Sequence, residues 1–367
     1  MIIKSLELLD YRNYESLQMN FDKGINILYG ENAQGKTNIL ESIYVCATTK
    51  SHRGSKDKEM IRFDKEDSHI RLYIEKNEIE HRIDIHLKRN KTKGAAIDCI
   101  PIKKSSELMG MVNVVFFSPE DLAIIKNGPA ERRRFMDMEL CQLNKVYLHD
   151  ISNYNKVVNQ RNNLLKQAYY QESLKETLDV WDEQLVRYGM KVIREREKFI
   201  ETLNELICPI HRKLSGNREN LRIRYEPSVD ELGFEEELFL RRENDLKLKT
   251  TTVGPHRDDM GFYINDINVR KFGSQGQQRT AALSLKLAEI DLVKLLIKDT
   301  PILLLDDVLS ELDSFRQNYL LESIRQIQTV ITCTGLDEFI QNRFNIDKIF
   351  KVKDGIVENQ QREVKDE

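Results

Sequence analysis

The sequence predicts an α/β protein: a parallel sheet flanked by helices, with an inserted α-helical lobe built on a short antiparallel helical hairpin. Three observations carry this. Near the start, Gly30-Glu31-Asn32-Ala33-Gln34-Gly35-Lys36-Thr37 satisfies the pattern G-x4-G-K-[ST]. Near the other end, Thr300-Pro301-Ile302-Leu303-Leu304-Leu305-Asp306-Asp307 is an apolar run bounded by turn signals and closed by paired acids. Between them, apolar residues step by three, four or seven over two long stretches.

The first motif lies where it has physical meaning. Ile25-Asn26-Ile27-Leu28-Tyr29 reads as a buried strand before it, and Ile39, Leu40, Ile43, Tyr44 and Ala47 fall on one helix face after it. Glycines let such a loop curl so that several backbone N–H groups point inward. The helix that follows adds its positive end toward the same phosphates. Gly30 through Asn38 therefore form the expected cradle of a nucleoside triphosphate, ATP, with Lys36 reaching the β and γ phosphates and Thr37 offering its hydroxyl to Mg2+.

The second motif reads as a central parallel strand. Strands covered on both faces are continuously apolar, so their polar residues gather at the carboxyl edge, where ligands bind. Asp306 is expected to hold the magnesium through water, and Asp307 to orient or deprotonate the attacking water. Two acids are also common at a helix N-cap, the plainer alternative.

These two elements stand at opposite ends of the chain, so something large is inserted between them. Before the acidic strand, Phe272-Gly273-Ser274-Gln275-Gly276-Gln277-Gln278-Arg279 opens a helix with an apolar face through Ala281, Leu285, Ala288 and Leu292. A small-residue helix start is a second anion site, which one chain does not need at one phosphate. The economical arrangement is a head-to-tail homodimer in which Ser274, Gln275, Gly276 and Gln277 of one copy cover the nucleotide of the other. Ser310-Glu311-Leu312-Asp313 then reads as a D-loop along that seam, through Ser310 and Asp313.

The combination resembles the ABC ATPase head of the chromosome-maintenance and repair type, and within it the bacterial RecF family. Leu6-Glu7-Leu8-Leu9-Asp10-Tyr11-Arg12-Asn13-Tyr14, Lys50-Ser51-His52-Arg53, Ser118-Pro119-Glu120-Asp121-Leu122, Gly128-Pro129 with Arg132-Arg133, and Gly254-Pro255-His256-Arg257-Asp258-Asp259 carry the resemblance in order along nearly the whole chain. It implies that Arg12 and Asn13 lie near the phosphates. It further implies a weak, DNA-stimulated ATPase that binds duplex next to single-stranded gaps and works with RecO and RecR to load RecA in recombinational repair and the SOS response. Three departures stand out: Ser274-Gln275-Gly276 lacks the doubled glycine of the wider superfamily, Asp307 replaces a frequent Glu, and Thr332-Cys333-Thr334 stands where a switch histidine is often found. The shorter acid points to slow hydrolysis. The competing readings are a nucleotide-gated clamp that does not hydrolyse, or a transporter-type ATPase subunit.

The expected division is a discontinuous head, 1–125 and 250–367, and a lobe, 126–249. Ile70, Leu72, Ile74 and Ile83, Ile85, Leu87 alternate as two strands joined at Lys76-Asn77-Glu78. In the lobe, Tyr147, Ile151, Tyr154, Val158 and Leu165, then Leu178, Trp181, Leu185, Tyr188, Val192, Phe199 and Leu206, predict two helices of about 45 Å each. Five scattered cysteines without a C-x-x-C pair argue against a disulfide framework or a zinc site. No apolar stretch reaches the ~18 residues that span a bilayer, and the first ten residues carry Lys4 and Glu7, so a cytoplasmic protein without a membrane partner is expected. The net charge of −3 is not that of a strongly basic nucleic-acid domain, which leaves DNA contact to local patches. Lys88, Arg89, Lys91 and Lys93 at a hairpin end, Arg132 and Arg133 at the start of the lobe, and Arg53 are the candidates. Two roles are open to Arg53, touching DNA or swinging toward the γ phosphate. His52 and His256 read as hydrogen-bonding residues rather than acid/base groups.

Overall fold

The structure, a computed structural model, describes residues 1–336 and 346–360; the end of the expected head segment, 361–367, lies outside them. The described chain divides into two compact units, Met1–Asp121 with Glu289–Glu367, and Leu122–Ala288.

The first unit contains two six-stranded sheets. In one, Val114–Phe117, Ile302–Asp306, Thr329–Cys333, Ile25–Tyr29 and Ile346–Lys353 run parallel in that spatial order, and Ile356–Gln360 adds an antiparallel edge. The other is antiparallel, in the order Tyr14–Asn20, Ile2–Tyr11, Asp67–Lys76, Ile79–Lys88, Gly94–Ile97, Ile100–Pro101. The predicted hairpin is present: Asn77 and Glu78 both take positive φ (52° and 65°), the conformation of a two-residue hairpin turn.

The helix Lys36–Thr48 packs against strands of both sheets. The expected single apolar face is for that reason too narrow: Val45 and Cys46 are as fully buried as Ile39, Leu40 and Ile43. Gln328 ties the sheets together at one end. Its side chain accepts from the Ile3 N–H (2.6 Å) and donates to the carbonyls of Ile3 and Asp22 (2.8 and 2.7 Å).

In the second unit the helices Lys145–Ala168 and Leu178–Leu214 pack as the hairpin, but they are unequal, 24 and 37 residues, or about 36 and 55 Å. The first begins at Lys145 because Asn144 turns the chain to an extended conformation and caps Val146 and Tyr147 N–H with its side chain. Along the second, Leu178, Leu185, Val192 and Phe199 are buried as expected, whereas Leu206 is half-buried and Leu203, Ile207 and Ile210 take its place. A straight helix drifts ~20° per seven residues, so a strict seven-residue reading loses the face after four repeats.

The lobe is also not all helical. Leu221–Glu226, Asp259–Ile264 and Ile267–Asn268 form a small antiparallel sheet in the same unit. Accordingly this unit runs on to Ala288, inside the helix Gln275–Ile297, where the sequence reading placed the return to the head at 250.

Buried arginines wire this unit. Arg161, fully buried, donates to Asp182 (2.5 Å), Asp245 (2.6 Å) and Thr251 (2.9 Å). Arg196 donates to the Tyr147 hydroxyl, the Pro255 carbonyl, Asp258 and Asp137. Removing one partner of such a pair strands a charge in the interior. Arg161→Ala is expected to destabilise the unit by about 3–5 kcal/mol, and Asp245→Ala by a similar amount. Urea unfolding of the full-length variants checks this; a loss below about 1 kcal/mol for both would show that the network is ornamental.

Candidate nucleotide-binding site

Parallel pairing decides where the polar residues gather. Asp306 is in register with Thr332, and Thr332 with Leu28, so the ends of three neighbouring strands reach one edge. Above that edge the loop after Tyr29 leads into the helix beginning at Lys36.

The loop demands its glycines. Gly30 has φ +155°, and a Cβ there would meet the Val352 carbonyl oxygen at 2.2 Å. Gly35 has φ +110°, and its Cβ would meet the Asn13 amide at 2.5 Å and the Tyr14 hydroxyl at 2.7 Å. Asn13 is the strut on this side: it donates to the Gln34 carbonyl (3.0 Å) and accepts from the Asn38 side chain (2.8 Å). Gln34 in turn accepts from the Asp354 N–H (2.5 Å).

Thr37, Asp306 and Thr332 converge. The Thr37 hydroxyl donates to Asp306 Oδ1 (2.8 Å), and the Thr332 hydroxyl donates to the same oxygen (2.7 Å). Thr332 Oγ1 also accepts from the Asp307 N–H (3.0 Å), and Asp307 takes a left-handed φ of 53°. Lys36 donates to the carbonyls of Gly30 and Glu31 (2.6 and 2.8 Å). Burial lowers its pKa, and the nearby Asp307 and Asp306 oppose that shift.

These groups line a cavity of about 470 Å³ together with Asn32, Ala33, Gly35, Asn38, His52, Arg53, Ser118, Pro119, Glu120 and Asp307. Lys36 shares this lining with three acidic residues, Asp306, Asp307 and Glu120. A polyphosphate entering this space needs further positive charge, and Thr37 beside Asp306 is the oxygen donor set a magnesium ion takes. His52 stacks near Phe116 (centroids 4.1 Å apart). Glu120 and Thr332 escaped assignment as site residues from the sequence. Thr332 had a local signal, its place at the end of the strand after the acidic one; Glu120 follows the carboxyl end of Val114–Phe117, which pairs parallel with the acidic strand and so reaches the same edge.

Several candidate residues are placed elsewhere. Arg12 does not line the cavity: its guanidinium pairs bidentately with buried Glu41 (2.7 and 2.6 Å) and also donates to Ser55 and the Glu59 carbonyl. Hydrogen bonds from Arg12 and Ser51 hold the Glu41 pKa below the usual carboxylate range, against its burial. Arg132 is buried and held bidentately by Asp259 (2.6 and 2.8 Å), so it cannot present its charge to DNA. Arg133 is half-buried and donates to the Asp258 carbonyl (2.6 Å). Lys93 is half-buried, on Asp57 (2.9 Å) and the Thr49 carbonyl. Arg53 and Lys91 are exposed; Lys88 and Arg89 are half-exposed, Arg89 reaching the Lys65 carbonyl (3.0 Å). His256 is structural: it bonds the Tyr154 hydroxyl (2.7 Å) and the Thr251 carbonyl (3.0 Å), and burial pushes its pKa down to about 4.

Ser274, Gln275 and Gly276 stand exposed at the start of the helix Gln275–Ile297. Ser274 and Gln277 form a reciprocal cap: the Ser274 N–H donates to Gln277 Oε1 (2.9 Å) and the Gln277 N–H to Ser274 Oγ (3.2 Å). Ser310 donates to the Asp307 carbonyl (2.8 Å), and Asp313 caps the helix Ser314–Ser323 through the Arg316 N–H (3.0 Å). Among the described residues no helix is long and apolar enough to cross a membrane.

Known proteins resemble this chain over nearly its whole length. The RecF/RecN/SMC N-terminal domain family matches residues 2–358. The DNA replication and repair protein RecF of Lachnospira eligens is 63% identical over 362 residues, covering 98% of this chain and 100% of its own; that of Lachnoclostridium phytofermentans is 63% identical over 358 residues, covering 98% and 99%. The recombination mediator protein RecF of the RecFOR pathway, solved with ATP, superposes with a TM-score of 0.91 at 34% identity, covering 98% of each chain. The Smc head domain of Pyrococcus furiosus shares the fold at 17% identity and a TM-score of 0.56, covering 98% of this chain and 96% of its own. With a family model matching nearly the whole chain and relatives 63% identical along their full length, the chain belongs to the RecF family.

Proposed function

We propose that this protein is an ATP-dependent DNA-binding ATPase whose nucleotide site is completed by a second copy. The observation that carries the reading is the meeting of Thr37 and Thr332 on one oxygen of Asp306 beneath the P-loop, in a chain related to an ATP-bound RecF. Lys36 and the loop amides hold the triphosphate. Thr37 and, through water, Asp306 would hold magnesium, which would supply positive charge to the triphosphate. Asp307, fixed through its N–H by Thr332, orients the attacking water. Its short side chain favours slow turnover.

The exposed start of the Gln275–Ile297 helix supports closure in trans: Ser274, Gln275, Gly276 and Gln277 of one copy cover the γ phosphate held by the other, with Ser310 and Asp313 along the seam. ATP then acts as a switch, because it bridges both subunits only in the closed state. DNA is held through backbone phosphates by Arg53, Lys88, Arg89 and Lys91. Arg53 lies within 3.4 Å of Asn38, at the edge of the nucleotide cavity, which favours coupling between the two ligands. By kinship with the RecFOR mediator, the substrate is duplex beside a gap and the partners are RecO and RecR in loading RecA.

Light scattering tests the engine. Lys36→Arg is expected to stay monomeric with saturating ATP, and Asp307→Asn to accumulate as a dimer with turnover lowered about 10²-fold or more. A monomeric Asp307→Asn protein would overturn the assignment of that carboxylate, and unchanged phosphate release would favour a clamp gated by nucleotide binding alone. Thr332→Val leaves Asp306 and the Asp307 N–H short of a partner; a turnover loss of about tenfold, with ATP still bound, is expected from a lost hydrogen bond of roughly 1.4 kcal/mol. Equal weakening of ATP binding would assign Thr332 to the ground state instead.

Salt titration of DNA binding separates surface from interior cations. Arg53→Ala and Lys91→Ala are each expected to reduce the slope of log K against log salt by about 1, whereas Lys93→Ala leaves it unchanged. A slope unaltered by either of the first two would remove them from the DNA surface.

A further inference from the structure

On the antiparallel sheet of the first unit, alternation sends Ser68, Ile70 and Leu72 inward and leaves Asp67 and His69 on the solvent face. His86, on the neighbouring strand, is the register partner of His69. The two imidazoles stack with centroids 3.9 Å apart at 19°, and His86 Nε2 lies 3.1 Å from Asp67 Oδ2. One ligand atom from each of the three side chains lies within 4.8 Å of the other two. We propose that Asp67, His69 and His86 form a binding site for a borderline first-row divalent cation, zinc foremost.

Geometry and chemistry agree. Two ligands about 2.0–2.1 Å from a tetrahedral ion stand roughly 3.4 Å apart, so the Asp67–His86 pair is already at ligand spacing. Small side-chain rotations bring His69 in, and water fills the fourth position. The hydrogen bond between Asp67 and His86 explains those two residues, but it leaves the exposed His69 ring without a role; a cation engages all three. Arg71, two residues on, does not oppose binding, because Glu7 (2.7 Å) and Asp84 (2.9 Å) neutralise it. Lys88 is the register partner of Asp67 and is the nearest uncompensated cation by sequence position. Nitrogen-rich ligation selects zinc over magnesium, which keeps its waters and takes oxygen. The bound ion would clamp the strand Asp67–Lys76 to Ile79–Lys88, from which the basic connection carrying Arg89 and Lys91 departs.

Calorimetric titration of the full-length protein with zinc chloride, without nucleotide, tests the site. One equivalent is expected to bind more tightly than about 10 µM. His69→Ala and His86→Ala should each weaken it by about 10- to 100-fold, with His69→Gln as the conservative control. Millimolar magnesium should not compete, and His81→Ala, which alters the separate His81–Asp98 pair, should leave the affinity unchanged. Because both histidines face solvent, the variants are expected to keep the wild-type circular dichroism. Absence of zinc binding, binding unaffected by the His69 and His86 changes, or binding lost in His81→Ala would each overturn the assignment.

Discussion

The Asp306 carboxylate is where three elements of the first unit meet. A hydroxyl from the P-loop helix and another from the intervening strand both donate to one of its oxygens, fixing the position of the acid before any ligand arrives. This works because Thr329–Cys333 lies between the P-loop strand and the acidic strand, and because parallel register brings Thr332 level with Asp306. The same threonine accepts from the Asp307 N–H, so one side chain organises both acids. A polar group at the end of an apolar strand must find partners, and here those partners are the site.

The P-loop helix transmits that order. Buried between two sheets, it cannot slide or tilt without disturbing both, which is the rigidity a phosphate cradle needs. Its first turn is held from the antiparallel sheet side by Asn13 and Asn38, and one turn later Glu41 gathers Arg12, Tyr11 and Ser51. Arg12 thus braces the helix that follows the Gly30–Gly35 loop.

Charge is spent inward in this molecule. Lys and Arg number 57 against 60 Asp and Glu, and several of the pairs made from them reach the interior. Arg132, Arg161 and Arg196 are almost wholly buried on carboxylates that lie from 21 to 127 positions away in sequence. The segment Gly254–Asp259, which reads like a functional motif, is where Arg132 and Arg196 find Asp259 and Asp258. Its chemistry is that of a joint. Among the candidate surface cations, Arg53 near the cavity and Lys91 beyond the end of a strand stay exposed.

The sequence by itself determined the cradle, the acidic strand, the hairpin turn at Asn77 and Glu78 and the helical pair, because each is set by local backbone geometry or by a short periodicity. Only the tertiary structure decided which charges are surface and which are interior, that Arg12 braces a helix, that Thr332 serves Asp306, and that a small sheet completes the lobe. Those outcomes depend on partners distant in sequence. A guanidinium next to a carboxylate from another element is buried and neutralised, the same group without one is solvated, and no local pattern distinguishes the two.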